Sequence, residues 1–383
     1  MSLSPETRVG ASLDLSGNSM ETSKGEISLP KEWESFLLKY VPALKGKLGE
    51  MEALWNLSNF QSVFPLLEVV GAEEGGSQKL GKNLKKLPSG TTVAVDGGPG
   101  GSEALSEVEE ILRLGGEFSD SLLPPWTISV VPVIRYGDGY ASLDVFQRLN
   151  EKYQSGYLLR LGSSESDPDV AEAESEVPLL LSNLGADPGE VDLVLDYGEV
   201  DSEREVERVT PSARLAVEWA ARRRWRSVTL LSGAFPASIS GFKVDHEHRL
   251  TRHEVSLWRA VSSHSPQEIE LHYGDYATNH PALASGAGPW RSLPNLRYAR
   301  GQEWIIHRKK AHREQENSPF YEICQSIVND PRWEGENFSW ADKMISRGAR
   351  TYEGLGNAAK WVALGRSRHI EVVKHRLATL GEP

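Results

Sequence analysis

Short runs of apolar, mostly β-branched or leucine-rich residues recur along the chain after residue 36. In each run the apolar residues occupy consecutive positions instead of alternating with polar ones, which is typical of parallel strands covered on both faces. Each run ends near a charged or small residue. The pattern predicts eight strands, at residues 40–45, 64–70, 91–97, 128–136, 156–162, 191–200, 227–236 and 268–276.

Segments with helical spacing of apolar residues separate most of these runs. They predict helices over 49–58, 101–115, 142–153, 211–225 and 253–264. The fourth of these is expected to begin at Pro211, with Thr210 as its N-cap. The acidic run 167–178 is expected to open the helix after the fifth strand, or to be a solvated charged face.

Eight strands alternating with helices predict a TIM-type (β/α)8 barrel, because eight is the number at which this fold closes. The alternative is a doubly wound open sheet, which usually carries a glycine-rich phosphate turn after its first strand. Here the first run is followed by KGKLGE, which is not such a turn. We therefore expect the barrel to span residues 36–280.

The two ends of the chain differ from the barrel pattern. Residues 1–35 are rich in Ser, Gly and Glu, lack an apolar signal core and are predicted to be disordered. Residues 281–383 are predicted to form a C-terminal elaboration packed on the barrel. It would contain a β-hairpin within 295–314 that turns at Arg300-Gly301, followed by helices.

A ring of polar residues is predicted at the C-terminal ends of the strands, where barrels place their functional residues. Side chains two residues apart on a strand face the same side. Two residues before each ring position the residue is apolar in seven runs, and in the eighth it is Tyr273. The ring would consist of Lys45, Glu68, Asp96, Arg135, Arg160, Asp196, Ser232 and Asp275.

The residue types in this ring suit an anionic ligand. Arg135 and Arg160 carry planar guanidinium groups that match phosphate or carboxylate, and we assign them to substrate binding together with Ser232, Tyr273 and Asp275. We take Lys45, Glu68, Asp96 and Asp196 as catalytic candidates, since carboxylates could act as general acid and base or hold Mg²⁺. The alternative is a self-neutralising salt-bridge network that closes the barrel mouth.

Composition narrows the classes of partner. The net charge of −12 disfavours binding to nucleic acid or an anionic membrane through bulk charge. The basic segment 299–313 could contact nucleic acid, although a solvated hairpin end is the favoured interpretation. A single cysteine, Cys324, excludes an internal disulfide framework, and no apolar run is long enough to span a membrane. We expect a soluble, cytoplasmic protein.

Several segments together resemble the bacterial and phage beta protein family, named after a T-even bacteriophage protein. They are YVPALKGKLGEMEALWNLS, FPLLEVV, VIRYG, LLRLG, LDYGEV, FSWADKMI and GNAAKWVALGRSRHIEVV, and the similarity spans about 36–378. The resemblance implies a bacterial protein of phage-associated distribution with a part in phage–host conflict. It supports as site positions the residues that fall within the matching segments, namely Lys45, Glu50, Glu68, Arg135, Arg160 and Asp196.

Two functions are consistent with the sequence. The first is an enzyme, with the barrel mouth as the active site for a nucleotide or phosphodiester. The second is a non-catalytic recognition protein that binds a phage component or a partner subunit through the mouth or the hairpin. Charges at seven of the eight ring positions favour the first. Glu50, in turn, could be a residue of a helical first turn that the helix dipole favours.

Overall fold

A computed structural model describes residues 39–71, 74–116, 128–135, 142–163, 165–282, 293–310, 318–351 and 356–383. The segment 1–35, which we predicted to be disordered, lies outside these ranges. None of the described helices is both long and apolar enough to cross a membrane.

Eight parallel strands close into a barrel, which confirms the predicted TIM-type fold. Each strand pairs with its neighbours in sequence, and the eighth pairs with both the seventh and the first. The strands are β1 (Tyr40–Leu44), β2 (Leu66–Glu68), β3 (Thr92–Asp96), β4 (Ser129–Arg135), β5 (Tyr157–Gly162), β6 (Val191–Glu199), β7 (Ser227–Gly233) and β9 (Leu271–Asp275).

Helices follow the first seven barrel strands. They are α1 (Leu48–Trp55), α2 (Gly76–Leu84), α3 (Gly101–Gly116), α4 (Leu143–Tyr153), α5 (Val170–Leu184), α6 (Glu203–Ala220) and α7 (His253–Ser262).

The start predicted for the helix after the sixth strand was wrong. Helix α6 begins at Glu203, where the Ser202 side chain accepts a hydrogen bond from the Glu205 N–H, and Pro211 lies inside the helix. The prediction took Pro211 for the first residue of the helix, because proline lacks an N–H donor and is tolerated there. The acidic run after the fifth strand does open a helix, since the Asp169 side chain caps α5.

The hairpin predicted near Arg300-Gly301 is confirmed. Strand β10 (Asn295–Arg300) pairs antiparallel with β11 (Glu303–Arg308). A third strand, β8 (His246–Thr251), comes from the connection after β7 and pairs with β11. Three further helices complete the described part of this region: α8 (Ser318–Val328), α9 (Trp340–Thr351) and α10 (Ala358–Leu380).

Buried apolar side chains form separate layers on the two sides of the barrel wall. The interior layer includes the residues that the ring prediction placed below the polar positions of strands one to six, namely Ala43, Leu66, Ala94, Val133, Leu158 and Val194. On the last two strands the phase is reversed: Leu231 and Tyr276 belong to the interior layer, whereas Leu230 and Tyr273 pack in the outer layer against the helices.

Candidate functional site

Arg160 occupies the centre of a buried charge network at the C-terminal mouth of the barrel. Its Nη1 donates to Glu68 Oε1 at 2.7 Å and to Asp96 Oδ2 at 2.8 Å. Its Nε and Nη2 donate to Asp196 Oδ2 at 3.0 and 2.8 Å, and Nη2 also donates to the Tyr276 hydroxyl at 2.9 Å. All five N–H donors of this guanidinium group are therefore used within the protein.

A second cation, Arg135, joins the same carboxylates from strand β4. Its Nε donates to Asp96 Oδ1 at 2.8 Å, and its Nη2 lies 3.3 Å from Glu68 Oε1. Unlike Arg160, which is buried, the Arg135 side chain is 30% exposed. Multiple opposite charges and hydrogen bonds offset the desolvation cost that buried ions otherwise incur.

The strand ends supply further donors to two of the carboxylates. Asp96 Oδ1 accepts the Gly98 N–H at 2.9 Å, and Asp196 Oδ1 accepts the Gly198 N–H, also at 2.9 Å. These turns hold each carboxylate at the point where its strand leaves the barrel. Burial alone would raise the pKa of Asp96, but Arg135 and Arg160 outweigh it and lower the pKa.

Glu68 differs from its neighbours in this network. Its Oε1 accepts hydrogen bonds from both arginines, whereas the buried Oε2 has no hydrogen-bond partner. Burial raises the pKa of Glu68 and the nearby Asp96 adds to this effect, while Arg160 opposes it. A carboxyl group with a raised pKa and a free oxygen is suited to donate or accept a proton.

Lys45 lies beside Glu68 at the end of β1. Its Nζ donates to the carbonyl of Ala282, and burial lowers its pKa although Glu68 and Glu50 oppose the shift. Both Lys45 and Glu68 line a cavity of about 470 Å³ between the ends of β1 and β2 and helix α2. Four more lysines line this cavity, which we call the lysine cavity: Lys47, Lys79, Lys82 and Lys86.

The structure brings together six of the residues that the sequence placed in the ring: Lys45, Glu68, Asp96, Arg135, Arg160 and Asp196. The expectation that Ser232, Tyr273 and Asp275 face the same interior was wrong. Tyr273 packs in the outer layer, and Ser232 is register-paired with Asp275 on the adjacent strand. The prediction took the apolar residues two positions before Ser232 and Asp275 as interior, but Leu230 and Tyr273 face the helices, and a shift of one residue reverses every side chain of a strand.

Asp275 instead belongs to a second buried network behind the barrel wall. Its Oδ1 accepts from the Tyr40 hydroxyl at 2.6 Å, and its Oδ2 accepts from the Tyr273 hydroxyl at 2.9 Å and from His369 Nε2 at 2.8 Å. Arg252 Nη2 lies 3.3 Å from the same oxygen. This network joins the barrel to α7 and α10 and does not contact Arg160.

Tyr276 is the mouth residue that the sequence reasoning missed. Its hydroxyl donates to Asp196 Oδ2 at 2.6 Å and accepts from Arg160. Tyr276 directly follows Asp275, the last residue of β9, and takes the place in the barrel mouth that the prediction gave to Asp275. Reading the run EIELHYGDY in the opposite phase would have placed it there.

The carboxylates of the mouth do not fit a resident Mg²⁺ ion. Glu68, Asp96 and Asp196 converge on the guanidinium group of Arg160, which takes the place that a cation would need. Within the described ranges no three acidic, histidine or cysteine side chains are arranged to hold a metal ion. We therefore derive no step of a reaction through a metal.

Cations of the basic segment 299–313 are mostly engaged within the chain. Arg308 donates to the carbonyls of Ser240 and Phe242, Lys309 pairs with Glu322 at 3.0 Å, and Lys310 lies 3.7 Å from Asp245. The remaining residues 311–313 lie outside the described ranges.

The sequence model of the family described as Beta protein matches residues 40–375, which include every strand of the barrel and most of α10. No curated protein matches the chain. Because the match covers most of the sequence, from the first barrel strand to the last helix, the chain belongs to the Beta protein family.

Proposed function

We propose that the barrel mouth binds a small anionic ligand, a nucleotide or a phosphodiester, in the lysine cavity, and that Glu68 transfers a proton in its hydrolysis or cleavage. The observation that carries this proposal is the state of the Glu68 carboxyl group. It is buried, has a raised pKa, keeps one oxygen without a partner and lines the lysine cavity.

The five lysines of the cavity support an anionic ligand. As far as the described residues extend, none of them forms an ion pair with an acidic side chain, although Glu68 and Glu50 lie near enough to Lys45 to affect its pKa. Lys79 Nζ donates to the Glu74 carbonyl, and Lys86 lies over the Trp55 ring at 4.4 Å. A concave site of this volume with several uncompensated cations favours a phosphorylated small molecule.

The hydrogen bonds of Glu68 assign its proton. Oε1 accepts from Arg160 and Arg135, which stabilise negative charge on that oxygen. In the neutral acid the proton therefore belongs on Oε2, the oxygen without a partner. This geometry supports Glu68 as a general acid toward a leaving oxygen, with Lys45 stabilising the anion.

Binding is tested by calorimetric titration with AMP, ADP and bis(4-nitrophenyl) phosphate. We expect Lys82→Glu to weaken binding by about tenfold, because it reverses one charge at the cavity. Lys85→Glu is the matched control: it lies next to the end of the same helix, outside the cavity lining, and should change affinity by less than about twofold. Failure of all three probes to bind the wild-type protein would contradict the proposal.

Proton transfer is tested by Glu68→Gln, which keeps the shape and the acceptor oxygen but carries no acid. Turnover of a bound phosphodiester should fall by about 10²–10⁴-fold, with affinity nearly unchanged. Circular dichroism would establish that the variant is folded. An unchanged turnover number would exclude Glu68 as the proton donor.

A non-catalytic recognition role in phage–host conflict is the second candidate. One observation favours it: every N–H donor of Arg160 is already used within the protein, so the centre of the mouth is balanced without a substrate. In this case the bound nucleotide would be recovered unchanged, and cells that carry Glu68→Gln would restrict phage plating as well as wild-type cells do. Loss of restriction together with loss of turnover would favour the enzyme.

A further inference from the structure

Arg297, on strand β10, is a partly buried cation without a counter-charge among the described residues. Its Nη1 donates to the carbonyl of Thr278, and its guanidinium group lies 4.4 Å above the ring of Phe235. As far as the described residues extend, no acidic side chain forms an ion pair with it. Burial, and secondarily the charge of Arg366, lower the pKa of Arg297. A partly buried cation in this state is destabilising unless something pairs with it.

The surroundings of Arg297 increase the positive potential instead of balancing it. Arg366 is paired with Glu50 at 3.1 Å, and the side chain of Asn279 contacts both residues. Glu50 is therefore already shared between Arg366 and Asn279, and no described acid is paired with Arg297. The hydroxyl of Thr278 is fully buried and has no hydrogen-bond partner. Thr278 thus accepts a hydrogen bond from Arg297 through its carbonyl oxygen and also carries a hydroxyl group without a partner.

The position of Arg297 in the fold adds a third observation. Phe235 lies two residues beyond β7, and Thr278 lies three residues beyond β9, which are the seventh and eighth strands of the barrel. Arg297 contacts both connections from the side of the small sheet. The loops after strands seven and eight are where (β/α)8 barrels frequently bind phosphate.

We propose that Arg297 and Thr278 form a binding subsite for a phosphate group at the connections after the seventh and eighth barrel strands. The free N–H groups of the guanidinium fork supply paired donors, and the Thr278 hydroxyl supplies a further donor. The lysines of the lysine cavity are not among the contacts of Arg297, so this subsite does not depend on occupancy of that cavity.

The test is titration with inorganic phosphate at matched ionic strength. Wild-type protein should bind phosphate, and Arg297→Met should weaken binding by about tenfold or more, because a charge-assisted hydrogen bond is lost. Lys85→Glu, outside the lining of the lysine cavity, should change phosphate affinity by less than about twofold. Equal phosphate affinity of the wild type and Arg297→Met, or no binding by the wild type, would overturn the proposal.

Melting temperatures show whether the variants fold. In phosphate-free buffer Arg297→Met should melt at or above the wild-type temperature, because an unpaired, partly buried cation is removed and methionine still packs on Phe235. Phosphate should raise the melting temperature of the wild type more than that of the variant.

The nearly isosteric Thr278→Val is a second variant, which keeps the test decisive if Arg297→Met does not fold. It should fold normally, since the hydroxyl it removes has no partner, and it should weaken phosphate binding by about threefold or more. If Arg297→Met does not fold, an unchanged phosphate affinity of Thr278→Val would by itself overturn the proposed subsite.

Discussion

Trp304 donates its indole N–H to Nδ1 of His369 at 3.1 Å, which determines the tautomer of this buried histidine. An indole N–H is only a donor, so Nδ1 carries a lone pair and the proton lies on Nε2. That N–H donates to Asp275 Oδ2 at 2.8 Å. Burial lowers the pKa of His369 although Asp275 opposes the shift, which agrees with a neutral ring. The hydrogen bonds that link Trp304, His369 and Asp275 join the small sheet, helix α10 and the barrel.

Replacing this histidine should weaken the attachment of α10 to the barrel. His369→Ala leaves the Trp304 N–H without its partner, removes one donor from Asp275 and opens a cavity. We expect a loss of about 3 kcal/mol in the free energy of unfolding, measured by urea denaturation. His375→Ala, an exposed position on the same helix, should cost less than about 1 kcal/mol. Equal losses for the two variants would contradict the proposed role of His369.

Glu254 should make stability depend on pH. Its Oε1 accepts from Arg252 at 3.0 Å, its Oε2 has no partner, and burial raises its pKa to about 7 although Arg252 opposes the shift. Between the ordinary pKa of about 4.5 and about 7, the folded protein keeps a proton that the unfolded chain has released. The contribution of this group to stability is therefore lost as pH rises through that window.

A glutamine at position 254 does not titrate, so the comparison isolates this effect. The free energy of unfolding of Glu254→Gln, relative to the wild type, should increase by roughly 2–3 kcal/mol from about pH 5 to about pH 8. Urea denaturation at the two pH values measures the difference. A constant difference would show that Glu254 is ionised throughout.

Replacing Arg160, the central cation of the mouth, should lower the stability of the folded protein. Arg160→Met would leave Glu68, Asp96 and Asp196 buried with only Arg135 to compensate them. We expect a loss of about 3–5 kcal/mol in the free energy of unfolding, partly recovered at low pH where the carboxyl groups are protonated.

The control for Arg160 is an arginine that also pairs with two acids but lies at the surface. Arg208 is 51% exposed and pairs with Asp167 at 2.7 Å and Glu205 at 2.6 Å. Arg208→Met should cost less than about 1 kcal/mol, because solvent screens these pairs. Similar losses for the two variants would mean that burial does not strengthen the mouth network.

Two glycines with positive φ should differ in their tolerance of alanine. Gly162, at the end of β5, has φ of 82°, and a Cβ there would lie 2.2 Å from the Asp196 carbonyl oxygen. Gly301, in the hairpin turn, has φ of 55° and no neighbour within 4 Å of such a Cβ. Gly301→Ala should cost about 1 kcal/mol from backbone strain alone. Gly162→Ala should cost several kcal/mol more, measured by thermal or urea unfolding, and equal costs would contradict the close approach of β5 and β6.

Most of the fold could be predicted because strand and helix formation are written in local patterns. The eight apolar runs are long enough to mark parallel strands, and their number matches barrel closure. Strand β8 was not predicted, because HEHRLT has no apolar alternation. It becomes a strand only by pairing with β11, about sixty residues later in the chain.

The candidate site could be predicted in part. Charged residues at the ends of the first six strands pointed to Arg160 and its carboxylates, and the apolar residue two positions earlier gave the correct phase. On the last two strands the apolar residues Leu230 and Tyr273 pack against the helices and not in the interior, so Asp275 was assigned to the mouth and Tyr276 was missed. Arg297 gave no signal, because a lone arginine in a strand of a hairpin is usually exposed.

Local sequence patterns alone were sufficient to predict the barrel and the charged residues at its C-terminal mouth. The apolar runs that form buried strands consist of consecutive residues, so they can be recognised in the sequence. Packing in three dimensions decided which charges neutralise one another. Arg160 meets Glu68 across 92 positions of sequence, whereas Arg297 meets no acid among the described residues. Hydrogen bonds and ion pairs act over about 3 Å, and that distance is set by the phase and register of neighbouring strands, which a strand buried on both faces does not encode.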